Sequence, residues 1–391
     1  MTAQPANEPP LVYLVAGEAS GDELGARLMT ALQAMSGGNV RFAGIGGRQM
    51  TAAGLTSLFP MRELSLMGFV EIVPHIPKLL RRIRETADDI RRRRPACVVT
   101  IDSPDFNFRV GRRLAGAGIP LVHYVGPSVW AYRAGRAAKI ARFLDHLLVL
   151  FPFEPPYFET VGLPTTFVGH PLIEAGIKDA EAGPLLAEIG AAPEDVLVTV
   201  LPGSRGGEIK RHLALFGAVI TKLAAAHPGL RVLIPAAPGL EDTLREQTAG
   251  WPVTTHILSG TDQKYAAFAA SRAALAVSGT VTLELAIAGL PMVVAYKANA
   301  LTMAIAKRIV RVPHISLGNL VLQQGIAPEF VQEAASVSAL SDALGALLVD
   351  GPARTRQTEA WKEFSQKISV GGDTPSQRAA RVVADIIHIT P

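Results

Sequence analysis

Two doubly wound α/β domains are what this sequence predicts, and three observations predict them. The chain has 391 residues, about twice the usual length of a single domain. Short Val/Ile/Leu-rich runs alternate with helix-length amphipathic segments, the rhythm of a parallel sheet covered by helices on both faces. That rhythm lapses over residues 169–193 and then resumes, which makes two series rather than one. A hydrophobic content of 49% with 18% charged residues supplies each half with a core and excludes a largely disordered chain.

Taken in order, the first series places buried strands at residues 11–16, 96–101, 121–125 and 147–150, with an amphipathic helix over 22–34. The second places strands at 196–201, 231–235, 273–277 and 291–295. After Ala327 the pattern reads as helical only, and the polar segment 359–381 is expected either to lie back on the first domain or to reach a partner chain. The resulting division is an N-terminal domain over 1–170, a second over 171–360 and a C-terminal helical segment over 361–391. Two open α/β sheets facing each other leave a central cleft at the carboxyl ends of their strands, where such folds bind ligands.

No run approaches the roughly 20 apolar residues that a spanning helix needs, and the start MTAQPANEPP lacks the basic-then-apolar signature of a secretory leader. A cytoplasmic protein is expected. The single cysteine, Cys97, lies in the apolar run ACVVTI and reads as a packing residue. Net charge is only +4, but eight basic residues crowd between Lys78 and Arg94. Just before and at the start of that run stand the large apolar residues Leu66, Met67, Phe69, Val70, Ile72, Ile76, Leu79 and Leu80, followed by Arg81 and Arg82. That composition suits a segment lying in a membrane interface; an ordinary amphipathic core helix with a solvated basic face is the alternative. A nucleic-acid partner is not expected, because no aromatic-basic interleaving or binding module accompanies the charge.

The clearest anion signal is LPGSRGGE from Leu201, placed between a buried strand and a helix. Glycines admit backbone N–H groups to an anion, the helix N-terminus adds positive partial charge, Ser204 adds a hydroxyl, and Arg205 can fork two phosphate oxygens. Its counterpart is SGTVTLE from Ser278, again at a strand end. There Ser278, Gly279 and Thr280 suit a diphosphate, and Glu284, one turn on, suits the hydroxyls of a ribose. Thr280 as a plain helix cap and Glu284 as a solvated residue remain the alternative. In the first half, GEASGD from Gly17 opens a helix that Ser20 or Asp22 is able to cap, and both are also candidate substrate-binding residues; its spacing is not the dinucleotide fingerprint, which argues against NAD. TIDSPDFN from Thr100 sets Asp102 at a strand end as a candidate general base on a sugar hydroxyl, with Asp105 as cap of the next helix. His123, in HYVGPSVWAY, reads equally as a core residue or as part of a ligand wall. No His/Cys/carboxylate cluster has metal-ligand spacing and no Asp-x-Asp pair is present, so neither metal nor cofactor is expected.

Together, VAGEASGD, MGFVEI, IDSPDFN, HYVGPSVWAY, LPGSRGGE and SGTVTLE, in this order between about Leu11 and Gln324, resemble the lipid-A-disaccharide synthase family, glycosyltransferase family 19. The resemblance implies a GT-B fold and an inverting transfer of 2,3-diacylglucosamine from UDP to the 6-hydroxyl of 2,3-diacylglucosamine 1-phosphate. It also implies residence at the cytoplasmic face of the inner membrane. It gives Asp102 the part of general base, Arg205 that of the diphosphate arginine, Glu284 that of the ribose carboxylate, and places Asn319 of SLGNLVLQQ near the site. It further implies that the C-terminal helices over 357–387 exchange between two protomers. Gly126, Gly318 and Tyr132 depart from residues frequent in the family. Two rival readings are another UDP-sugar enzyme of the same fold, such as an epimerase or a transferase to a different lipid, and a non-catalytic nucleotide-binding membrane scaffold.

Overall fold

The computed structural model describes residues 8–64, 76–132, 135–299, 303, 312–369 and 371–389. The chain divides into two compact units, one of Met1–Pro171 with Ser369–Pro391, the other of Leu172–Ile368.

In unit 1 the strands are β1 (Leu11–Ala16), β2 (Arg41–Ile45), β3 (Thr56–Ser57), β4 (Cys97–Ile101), β5 (Leu121–Tyr124), β6 (His146–Val149) and β7 (Thr165–Phe167), in the order β3-β2-β1-β4-β5-β6-β7. All pair in parallel. β1 is buried on both faces, which is why it reads as an unbroken apolar run: Tyr13 and Val15 join one core with Ile83, Phe106 and Phe108, while Val12, Leu14 and Ala16 join the other with Leu28 and Met29. Between the strands run α1 (Ala19–Met35), α2 (Arg48–Ala52), α3 (Ile76–Arg93), α4 (Pro104–Leu114), α5 (Arg136–Ile140) and α6 (Pro155–Glu159).

Unit 2 carries β8 (Val196–Leu201), β9 (Leu230–Ala236), β10 (Thr254–Ser259), β11 (Ala273–Val277), β12 (Met292–Tyr296) and β13 (Glu329–Val331) in the order β10-β9-β8-β11-β12-β13. Its helices are α7 (Gly183–Glu188), α8 (Gly206–Ala224), α9 (Glu241–Thr248), α10 (Thr261–Ala270), α11 (Thr280–Ile287), α12 (Leu317–Leu322), α13 (Val337–Leu348) and α14 (Pro352–Ile368). The expectation of helices alone after Ala327 is corrected by β13, whose Glu329, Phe330 and Val331 pair in parallel with Val294, Ala295 and Tyr296. Three residues are too few to show a strand period. The boundary expected at 360 falls inside α14, which buries Trp361 and Phe364 within unit 2 and runs on to Ile368. The return to unit 1 is made by α15 (Pro375–Ile386), whose Ala379, Ala380, Val383 and Ala384 enter the same core as Leu24, Leu28 and Leu32 of α1.

In each unit the strand order reverses direction once, between β1 and β4 and between β8 and β11. These are the places where an open parallel sheet leaves a crevice at the carboxyl ends of its strands.

Candidate active site

In unit 1 the register sets Ala16 opposite Ile101, so Gly17 and Asp102 leave the sheet side by side. The Asp102 N–H still donates to the Tyr124 carbonyl at 2.9 Å, the last rung of the ladder. The backbone then turns through two left-handed residues, Asp102 (φ 48°) and Ser103 (φ 43°), before entering α4. The Ser103 side chain lies over Gly17, where an added Cβ would come within 2.8 Å of Ser103 Cβ; only glycine admits this approach. Burial raises the Asp102 carboxyl above the usual carboxylate range, against an opposing hydrogen bond from the Ser103 backbone. That is the direction a general base working near neutral pH requires.

Other residues expected here have different work. Asp22 does not cap α1, whose N-cap is Glu18 without a side-chain bond. Its oxygens instead accept the N–H groups of Gly47, Gln49 and Met50 at 2.7, 2.9 and 3.0 Å, so both are engaged by the otherwise unpaired donors at the start of α2. Ser20 is exposed on the first turn of α1. Asp105 is not a cap either: its side chain is 99% exposed and the Ser103 N-cap has no side-chain hydrogen bond. His123 is a core residue, fully buried, with Nδ1 2.8 Å from Thr100 Oγ1 and Phe108 against its ring. Burial, the largest cause, pushes its imidazole down to about 3.

Glu154 was not singled out by any motif. It is 3% exposed and accepts the Trp130 indole N–H at 3.1 Å and the N–H groups of Leu150 and Phe151 at 3.0 and 2.9 Å. It thereby pins the aromatic loop that follows β5.

In unit 2, β8 and β11 pair with Ala276 opposite Leu201, which sets the Pro202–Arg205 turn beside Ser278–Thr280. Gly203 has φ 122°, and a Cβ there would lie 2.5 Å from Glu208 Cβ. The Glu208 carboxylate turns back to accept the Ser204 N–H at 3.0 Å, so that amide is not offered to a ligand. The Arg205 side chain is 84% exposed and only approaches Glu208 at 3.8 Å; little holds it in place. Ser278 Oγ donates to the Ile315 carbonyl at 2.7 Å, whereas Gly279 and Thr280 stand exposed at the start of α11. Glu284 is not the solvated residue of the alternative reading: it is 8% exposed and its Oε1 meets Lys264 Nζ at 2.8 Å. Lys264, from α10, escapes sequence reading because only the tertiary fold brings it to Glu284.

Asn319 is fully buried and its amide is fully used. Nδ2 donates to Ala327 O and Glu329 Oε1, and Oδ1 accepts from Ile326 N and Ala327 N, each at 2.9 Å. Glu329 also accepts the N–H groups of Ile315 and Ser316 at 2.9 and 2.8 Å. Asn319 therefore acts on the Ser278 turn through the 315–316 backbone rather than by presenting its own amide.

Of the membrane-contact residues, Leu66, Met67, Phe69, Val70 and Ile72 lie outside the described residues. Ile76 (41%) and Leu80 (38%) are exposed, as is Arg81. Leu79 is partly buried against the unit 1 core, and the Arg82 guanidinium is paired with Glu63 (2.8 Å) and Glu85 (2.6 Å) over the Phe59 ring. Among the described residues no group of three or more His, Cys, Asp or Glu is placed to hold a metal ion, and no helix is long and apolar enough to cross a membrane.

A family model described as lipid-A-disaccharide synthetase matches residues 12–383. The lipid-A-disaccharide synthase of Rhodospirillum centenum is 47% identical over 382 residues, covering 97% of this chain and 95% of that protein. Among solved structures, an S. aureus MnaA-UDP co-structure superposes with a TM-score of 0.63 at 12% identity, covering 97% of each chain. The Acinetobacter baumannii MurG structure does so with a TM-score of 0.59 at 14% identity, covering 97% and 99%. At that identity the structural likenesses speak for the fold alone, which is the GT-B pair of parallel-sheet α/β domains.

Proposed function

The chain belongs to the lipid-A-disaccharide synthetase family and is a glycosyltransferase of GT-B fold, and from that premise we propose how its residues divide the reaction. The reaction is the inverting transfer of 2,3-diacylglucosamine from UDP to the 6-hydroxyl of 2,3-diacylglucosamine 1-phosphate. Asp102 takes the proton of that hydroxyl as its oxygen attacks C1 of the donor sugar. The C1–O bond to the diphosphate breaks with its electron pair, and UDP leaves. Arg205 and the exposed start of α11 at Gly279 and Thr280 take up the developing negative charge. Glu284, held by Lys264, accepts the ribose hydroxyls. Ser204 and Ser278 shape the turn by their backbone and carbonyl contacts, while Ser20 faces the acceptor side. The observation that carries the reading is the β8–β11 register, which brings the arginine turn and the open start of α11 to one sheet edge.

The acyl chains of both substrates support work at a membrane surface, which we take to be the cytoplasmic face of the inner membrane, with Ile76, Leu80 and Arg81 toward the lipid. A homodimer that exchanges helices over 357–387 extends the same reading and stands or falls with the solution mass of the intact chain.

The test is UDP release from UDP-2,3-diacylglucosamine with 2,3-diacylglucosamine 1-phosphate in detergent and excess EDTA. Wild-type turnover is expected to depend on acceptor and to survive EDTA. Asp102→Asn should lower it about 10²–10⁴-fold and Arg205→Ala about 10²-fold or more. Full turnover in Asp102→Asn would leave the activity in place and remove its general base.

A further inference from the structure

Asn107 has no part in the reaction written above, yet its amide sits where the two strand ends of the unit 1 site meet. It is 1% exposed. Its Nδ2 donates to the Asp102 carbonyl at 2.7 Å and to the Ile101 carbonyl at 3.1 Å, and reaches the Val15 carbonyl at 3.5 Å. Three backbone oxygens converging on one NH₂ group also fix which way the amide points, since the flipped amide would set four oxygens against one another. Oδ1 pays for this arrangement by having no hydrogen-bond partner among the described residues, a cost that a side chain kept only for its volume would not carry.

What the amide holds is the unusual stretch of backbone. Asp102 and Ser103 are consecutive left-handed residues without glycine's freedom, and such conformations persist only where the surroundings over-determine them. The Asp102 N–H is tied to Tyr124 on one side, and the Asp102 carbonyl is tied to Asn107 on the other. Asn107 itself is set in place by the first turn of α4, its N–H donating to the Ser103 carbonyl at 3.0 Å.

We propose that Asn107 is a positioning residue for the reaction: by holding the Asp102 carbonyl it fixes the left-handed turn that aims the Asp102 carboxylate at the acceptor hydroxyl. The inference rests on the assignment of Asp102 as general base.

The test compares Asn107→Leu, close in volume but without the amide, and Asn107→Asp, close in shape but without the donor. Readouts are acceptor-dependent UDP release from about pH 5 to 9, UDP affinity and thermal melting. kcat, normalised to UDP-binding sites, should fall ten- to hundredfold in both, with donor KM and UDP affinity within about twofold and the acid limb of the kcat profile displaced. In an Asp102→Asn background the Leu substitution should add little further loss, as two steps acting through one group do. Wild-type kcat per UDP-binding site, or a full additional loss in the Asp102→Asn background, overturns the inference. If Asp102→Asn alone keeps full turnover, the base assignment falls and takes this inference with it. If Asp102→Asn loses turnover while Asn107→Leu keeps wild-type kcat per UDP-binding site, only the inference fails. Should Asn107→Leu not fold, Asn107→Ser carries the same comparison with a smaller side chain.

Discussion

Glu154 shows what a single residue can do that no motif announces. Three N–H donors stabilise its charged form, but burial outweighs them and pushes its carboxyl up to about 7. Between about pH 4.5 and 7 the folded chain therefore keeps a proton that the unfolded chain has released. Its contribution to stability is full below the unfolded value and is lost as pH rises through 7. Glu154→Gln is permanently neutral, so the difference in melting temperature, wild type minus variant, should shrink from pH 5 to pH 8; a difference that is flat or grows with pH would refute this. Asp102, Arg205, Gly279, Thr280 and Glu284 were legible as candidates because each stands in, or one turn beyond, a glycine- or carboxylate-bearing turn that follows an apolar strand run. Lys264, Glu329 and Asn107 were not, because their partners lie on other elements, or, for Asn107, on carbonyls whose direction depends on two left-handed residues. Asp22 was misread for the same reason: its acceptors serve α2, 25 to 28 positions along the chain.

At the scale of an element, α3 is two helices in one. Its buried stripe of Ile83, Thr86, Ala87 and Ile90 faces the sheet, with Arg82 clamped between Glu63 and Glu85. Its opening turn leaves Ile76 and Leu80 in solvent next to Arg81. Periodicity separates these faces, but it does not tell which arginines are spent on internal ion pairs. If the opening turn meets lipid, co-sedimentation with vesicles containing anionic phospholipid should fall several-fold in Ile76→Glu/Leu80→Glu. Arg81→Ala should weaken it by about 1 kcal/mol, roughly fivefold, and salt near 1 M should erase that last effect. Unchanged sedimentation of the double variant would move the contact elsewhere. Strands buried on both faces, such as β1, β4 and β11, were plain from sequence. β13, three residues at a sheet edge, was not.

For the whole molecule, unit 1 is built from both ends of the chain, one of the two destinations open to the C-terminal segment in the sequence. The polar look of 359–381 left two destinations open, and the small side chains Ala379, Ala380 and Ala384 that let α15 lie close against α1 carry little hydrophobic signal. Removing residues 369–391 would uncover one side of α1 at a cost on the order of 5 kcal/mol. Hydrogen exchange should then show lost protection in α1 with that of β8 and β9 retained. Protection of α1 that survives the truncation would mean α15 is dispensable.

The same discontinuity sets a timetable during synthesis. The N-terminal sheet leaves the ribosome long before the helix that completes it, because all of Leu172–Ile368 must be made in between. At about 5–20 residues per second that interval is on the order of 10–40 s. Through it the side of α1 that packs on α15 is uncovered in the nascent chain, a window in which a chaperone, or a neighbouring nascent copy, can reach it first.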